Sequence, residues 1–287
     1  MSQESKPNAP NLNSAVWAAS RGERWRLHAV PMEATMAPVD APLIQALRLD
    51  APYRIADLGC GGGATSVNVF HQAPQGSLVH GFDIADTLVE MARQRLKPGE
   101  PLRFEAADLE SAAPPDGPYD RLVSRFGTMF FPHPPQAFAN LQRWLKPGGR
   151  FAFAVWGPPA ENPWFTTVRQ VMAQVIDLPA PEPDAPGPFR YGDATKLLAL
   201  LGPAGFSELN VEDWKGLMPL GGGLPAAEAA TFALSAFSNF QELLQAAGDD
   251  KFAQAQKLLT ERYLTLDDAN SVRVAACVHV VTGSRTN

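Results

Sequence analysis

Only two cysteines occur in the 287 residues, Cys60 and Cys277. Neither a disulfide framework nor a four-thiolate zinc site can be built from them, and an iron–sulfur cluster on three clustered thiolates is excluded too. No metal site is expected. Positive charge is also scarce: 24 Lys and Arg against 30 Asp and Glu leave a net charge of −6. That balance counts against a broad polyanion-binding surface, because nucleic-acid affinity rests mostly on phosphate neutralisation. A local basic groove stays compatible with it. No run of about 18 apolar residues exists to span a bilayer. The opening MSQESKPNAPNLNS has no basic start followed by an apolar stretch, so it does not read as a signal peptide. The expectation is a cytoplasmic protein without membrane or nucleic-acid partners. Proline alone is abundant, 27 of 287 residues, roughly twice the usual share of about 5%.

Four regions follow from the pattern along the chain. Residues 1–13 read as a disordered tail. Residues 14–50 read as a helical lid, with Ala15–Leu49 helical and Trp17, Trp25, Leu27, Met32 and Met36 giving a loose apolar face. Residues 51–156 alternate strands with helices of 10 to 15 residues. The strands are Tyr53–Gly59, Ser77–Asp83, Leu102–Asp108, Tyr119–Phe126 and Arg150–Trp156, the last entered through the stop signal LKPGG. That alternation means a parallel sheet covered on both faces, an α/β fold. Residues 157–287 are proline-rich loops and helices, with strands near Gly205–Lys215 and over Ser271–Ser284, completing the same domain.

The informative stretch is Asp57-Leu-Gly59-Cys60-Gly61-Gly62-Gly63, at a strand-to-helix turn. Glycines let a backbone approach a ligand closely and expose amides at a helix N-terminus. Gly59, Gly61 and Ala64 also satisfy the G-x-G-x-x-A nucleotide pattern, so an NAD(P)-dependent oxidoreductase is one alternative, and a plain tight turn is another. Three acids discriminate. Asp57 would repel a pyrophosphate and suits a ligand with a cationic head. Asp83, 24 residues beyond Gly59 at the end of the second strand, can accept both hydroxyls of a ribose. Asp108 ends the third strand, where it can accept an adenine amine. Ribose, adenine, a cationic amine and no phosphate describe S-adenosylmethionine.

With these motifs in order, the chain resembles the class I S-adenosylmethionine-dependent methyltransferases, and a bacterial small-molecule subgroup among them. The matching pieces are DLGCGGG, GFD, EAAD, YDRLVSRFGTMFF and LKPGGRFAFAVW, over roughly residues 50 to 156. The resemblance implies a three-layer α/β/α sheet of seven strands, in order 3-2-1-4-5-7-6 with strand seven antiparallel, plus helical cap additions. It also implies cofactor roles. Gly59, Cys60 and Gly61 face the methionine portion, with the Cys60 amide engaged and its thiol inert. Asp83 takes the ribose, Ala107, Asp108 and Leu109 the adenine, and Ile84 packs on the adenosine. Ser124 and Arg125 lie beside the sulfonium, and the lid brings Trp17 and Trp25 over the cofactor.

The acceptor is narrowed by what is missing. No Asn/Asp-Pro-Pro-aromatic motif follows the fourth strand, where Ser124-Arg125-Phe126-Gly127 stands instead, and neither cysteine follows a proline as in cytosine C5 enzymes. A small, partly aromatic or apolar metabolite is favoured, methylated on O, N or C. Trp164, Phe165, Phe189, Tyr191, Phe232, Phe237 and Phe240 supply an aromatic helical addition that fits one, though as core residues they would need no ligand. A base is required only for a weak acid such as a hydroxyl. Among five histidines, His133 in the loop FFPHPP and His28 in the lid are the candidates, while His71, His80 and His279 read as structural. Arg125 would serve either an acidic acceptor or an ion pair. An inactive S-adenosylmethionine-binding scaffold is the non-enzyme alternative, and a homodimer is compatible with the sequence.

Overall fold

In the computed structural model, which describes residues 22–180, 182, 184–237 and 239–286, the N-terminal segment is not one helix. It is three: α1 (Gly22–Leu27), α2 (Ala29–Met36) and α3 (Asp40–Ala46), with a 3-10 turn at Ala37–Val39 between the last two. Pro31, Pro38 and Pro42 explain the breaks. Proline lacks the amide that continues a helix but fits a first turn, and each of the three sits in the first turn of its own short segment. The tail 1–13 and residues 14–21 of the expected lid, Trp17 included, lie outside the described residues.

The parallel strands are β1 (Arg54–Leu58), β2 (Leu78–Asp83), β3 (Leu102–Ala106), β4 (Tyr119–Arg125) and β5 (Leu145–Trp156). Helices α4 (Ala64–Gln72), α5 (Asp86–Arg93) and α6 (Pro134–Trp144) alternate with them. Successive residues of a strand face opposite sides of a sheet. Phe151 through Val155 of β5 are all fully buried, as are Ile55, Ala56 and Leu58 of β1. Both faces are therefore covered, which makes three layers.

After β5 come α7 (Pro163–Met172), α8 (Ala194–Leu201) and β6 (Phe206–Pro219). They are followed by α9 (Ala226–Ala236), α10 (Phe240–Ala247), α11 (Asp249–Leu264), β7 (Asp267–Asp268) and β8 (Ser271–Arg285). The order β3-β2-β1-β4-β5-β8-β6 puts the last long strand between β5 and β6, antiparallel to both. This is the expected order 3-2-1-4-5-7-6 with one addition. The two-residue β7 makes eight strands instead of seven, through a hairpin whose turn residues Ala269 and Asn270 sit at φ +50° and +66°. Such turns favour glycine at positive φ, and an alanine there hid this one in the sequence. Between β6 and α11 the helical stretch is split in two, α9 and α10, because Phe237 adopts an extended backbone between them.

Candidate active site

The C-terminal ends of β1, β2, β4 and β5 converge on one cavity, where ligands bind in open parallel sheets. Its floor is the turn after β1. Gly59 and Gly61 hold φ of +70° and +55°, a region L side chains avoid. A Cβ on Gly59 would come within 3.0 Å of the Gly127 backbone, and one on Gly61 within 3.3 Å of the Trp25 indole nitrogen. The second contact shows how closely α1 lies over the turn.

The turn does not hold out free amides at Gly59, Cys60 and Gly61, and the expectation that the Cys60 amide meets a ligand needs correcting. Gly59 and Cys60 N–H both donate to the Phe82 carbonyl, at 2.8 and 2.9 Å, and Gly61 N–H donates to Asp83 Oδ2 at 2.9 Å. Strand β2 has already taken them. What the turn offers is room. The Cys60 thiol is pushed well up by burial and by the Asp83 and Asp57 carboxylates, so it stays protonated.

Acids dominate this half. Asp57 is buried, accepts from Ser66 Oγ at 2.6 Å through Oδ2, and leaves Oδ1 without a partner. Burial pushes its carboxyl up to about 7; Asp40 and Asp83 act the same way, while Ser66 and Arg125 oppose it. Asp83 is buried with Oδ1 on the Ala85 amide at 3.0 Å, and burial raises its carboxyl against the pull of its amide partners. Ile84, Ala107, Asp108 and Leu109 line the adjoining wall. Asp108 Oδ1 takes the Glu110 amide at 3.0 Å.

Two expected residues have other duties. Ser124 is fully buried, donates to the Leu58 carbonyl at 2.6 Å, and is not among the cavity-lining residues. It ties β4 to β1. Arg125 lines the cavity but is paired with buried Asp40, Nη1 to Oδ1 at 3.0 Å. Thr65 and Asn68 complete that carboxylate's shell. The ion-pair alternative is the one the structure adopts.

The other half of the cavity is aromatic. Phe126, at φ +66°, stacks on Trp156 with centroids 4.1 Å apart, and Trp156 meets Trp164 at 4.6 Å. A non-glycine residue at such φ carries strain that its surroundings must hold, and the Phe126 amide is fixed to the Ala154 carbonyl at 2.9 Å. Phe237 packs edge-on to Trp164, and Met129, Phe130 and Met218 also line this side. Phe165, Phe189, Tyr191, Phe232 and Phe240 do not line the cavity and serve as packing behind it.

The lid segment reaches the cavity with Trp25, His28, Met32, Glu33, Thr35 and Met36. His28 also lies edge-on to Phe232 at 6.4 Å. His133 is placed differently. Its side chain is 70% exposed, it does not line the cavity, and it holds Glu110 through its backbone amide at 2.6 Å and Nδ1 at 3.1 Å. His80 is buried against Tyr119, its imidazole pushed down to about 4 by burial. His279 bonds Asp213 and the Gly192 carbonyl at 2.6 and 3.2 Å. Ligand atoms of Asp213, Cys277 and His279 lie within 4.8 Å of one another, away from the cavity lining. Sequence spacing did not reveal that group, which forms only through the β6–β8 pairing.

Residues 55–149 match a family model described as a methyltransferase domain. The matched stretch holds β1 to β4 and the start of β5, so both the glycine turn and the three acids lie within it. Among curated relatives, the chain is 29% identical over 160 residues to malonyl-[acyl-carrier protein] O-methyltransferase of a Paenibacillus strain, covering 54% of this chain and 56% of that protein. It is 30% identical over 167 residues to trans-aconitate 2-methyltransferase of Deinococcus radiodurans, 58% of this chain and 60% of the other. The chain thus spans little more than half the length of these relatives. A crystal structure described as a putative methyltransferase from an antibiotic biosynthesis pathway of Anabaena variabilis superposes with a TM-score of 0.58. It covers 86% of this chain and 97% of that one at 18% identity, a likeness of fold. Among the described residues no helix is long and apolar enough to cross a membrane.

Proposed function

We propose that the chain is an S-adenosylmethionine-dependent methyltransferase acting on a small, neutral, largely apolar acceptor. The observation that carries the cofactor is Asp57 Oδ1, a buried carboxylate oxygen without a partner on the wall of the cavity. A buried unpaired acceptor is costly, and a ligand ammonium relieves it where a pyrophosphate would aggravate it. The residues present fit the cofactor: Asp57 holds its ammonium, Asp83 its ribose, and Ala107, Asp108 and Leu109 the adenine, with Ile84 against the adenosine. Gly59 and Gly61 supply the space that any Cβ would fill.

When bound, the cofactor supplies a methyl group already activated on a sulfonium. The chain's own work is to bind, align and exclude water. Trp25, Met32 and Met36 close the cavity from the N-terminal side, as a lid. Phe126, Trp156, Trp164 and Phe237 hold the acceptor. That wall presents no unpaired cation among the described residues, since Arg125 is committed to Asp40. A polycarboxylate acceptor is therefore disfavoured. If the nucleophile is a hydroxyl, His28 is the side chain placed to take its proton; His133 acts only through Glu110. The chain is read as a small-molecule enzyme of the cytoplasm. Incubation with methyl-labelled S-adenosylmethionine and a panel of quinols, phenols, terpenoid alcohols and carboxylic acids tests it. Label should enter neutral aromatic or apolar acceptors. Transfer to polycarboxylates alone overturns the acceptor reading, and binding with no transfer to any class favours a scaffold.

A further inference from the structure

Glu33 belongs to none of the motifs that mark the site, yet it is built into the cavity wall. It lies on α2, is only 8% exposed, and lines the cavity. Arg95, just past α5, holds Oε2 at 2.6 Å with Nη2 and at the same time donates from Nε to the Gly62 carbonyl at 2.6 Å. One guanidinium thus joins the N-terminal segment to the glycine turn. The other oxygen, Oε1, is buried and has no hydrogen-bond partner. A Cβ added to Gly62 would lie 2.7 Å from it, so Oε1 sits directly against the turn. Burial pushes the carboxyl up, and Arg95, Arg125 and the Ala64 amide pull the other way. Arg95 and Arg125 are already paired, to Glu33 Oε2 and to Asp40.

Two orphan carboxylate oxygens, Glu33 Oε1 on α2 and Asp57 Oδ1 at the end of β1, therefore border one glycine turn. A buried acceptor without a donor is a standing cost that a cationic donor removes. We infer that Glu33 is a second binding group for the ammonium of an amino-acid-tailed nucleoside on the glycine turn, so that the N-terminal segment closes on the tail of the ligand and not on its nucleoside. This rests on the cofactor reading above. It makes the segment a specificity element: a nucleoside without the tail fills the Asp83–Asp108 side and leaves Glu33 unsatisfied.

The test compares S-adenosylhomocysteine with 5′-methylthioadenosine, which lacks the amino-acid tail, by calorimetry on the whole chain. Glu33→Gln keeps the size of the side chain and removes its charge. It should weaken S-adenosylhomocysteine about tenfold or more, as loss of a charged hydrogen bond does, and leave methylthioadenosine unchanged. Equal weakening of both ligands would make Glu33 a purely structural latch and overturn the inference. No change in either would overturn it as well. A thermal melt checks that the ligand-free variant folds. Should it not, Glu33→Asp, which keeps the charge but draws it back by one methylene, must still lower the affinity ratio of the two ligands, and an unaltered ratio refutes the inference. A wild-type protein that binds neither ligand refutes the cofactor reading itself, a result distinct from these.

Discussion

The two halves of the cavity are made of opposite materials. The glycine-turn half is short, acidic and held by backbone: Asp83 fixes Gly61 and Ala85, the Phe82 carbonyl fixes Gly59 and Cys60, and Asp57 keeps an oxygen free. The acceptor half is held by ring on ring, with Phe126, Trp156, Trp164 and Phe237 in successive contact. Hydrogen bonds of fixed direction specify one ligand. Apolar packing specifies a size and a polarity, and tolerates changes that keep volume. One half therefore reads as a cofactor site and the other as an adaptable acceptor site.

The largest effect that separates them is expected at Trp164. Its ring touches Trp156, Phe165, Phe189 and Phe237, so Trp164→Ala should cost about 3–5 kcal/mol of stability. Affinity for S-adenosylhomocysteine should stay within about threefold, because its ring partners and its hydrogen bond to Asn162 lie outside the glycine-turn half. Denaturant unfolding and calorimetry on the same variant read both quantities, and equal damage to the two would dissolve the distinction.

Asp83→Ala should act in reverse. Losing a charged hydrogen bond costs roughly 1.5–3 kcal/mol, so affinity for S-adenosylhomocysteine should fall at least about tenfold while near-UV circular dichroism keeps its native form. Unchanged affinity would remove Asp83 from the cofactor site.

The pH dependence of stability should follow the acids. Asp57 has a folded value of about 7, above its ordinary 3.8, and Glu33 and Asp83 are raised as well. A folded state that binds the proton more tightly is favoured at low pH, so this contribution is full below about 4 and is lost as pH rises through about 7. Each group adds a slope of at most about 1.4 kcal/mol per pH unit. The ligand-free protein should melt lower at pH 8 than at pH 6. The added stabilisation by S-adenosylhomocysteine should grow over the same interval, because its ammonium prefers the ionised acids. Asp57→Asn should flatten both trends.

The smallest effect is expected at His133. Its exposed ring touches the site only through Glu110, whose other contact is a backbone amide that survives mutation. Turnover of His133→Ala should stay within about threefold of wild type, against a larger loss for His28→Ala if the acceptor is a hydroxyl. The opposite ranking would return His133 to the role its place in the loop FFPHPP indicated.

What could be read from the sequence follows the same division. Asp57, Asp83, Asp108 and the glycines sit at strand ends, and strand ends are fixed by local pattern, so their meeting at one edge was legible, while the sheet order came only from the family resemblance of the motifs. The three-helix break of the lid is also written in Pro31, Pro38 and Pro42, each in the first turn of its own segment. Glu33 and Arg95 were not legible. They are 62 residues apart and meet only because the N-terminal segment folds back on α5, with α1 packed against that helix. The aromatic wall was visible as composition, but which rings line the cavity depends on tertiary packing: Trp164 and Phe237 do, and Phe165 and Phe240 do not. Ser124 and Arg125 show the converse, residues placed well in sequence whose polar atoms are consumed by Leu58 and Asp40.

A crystal structure of the protein soaked with S-adenosylhomocysteine tests the two-part cavity most directly. Density is expected for the ligand lying across the glycine turn, its ribose on Asp83, its adenine beside Asp108 and Leu109, and its ammonium within hydrogen-bond distance of Asp57 Oδ1. The space between Trp156, Trp164 and Phe237 should stay open for an acceptor. Density filling the aromatic half instead, or a ligand whose ammonium turns away from Asp57, would contradict it.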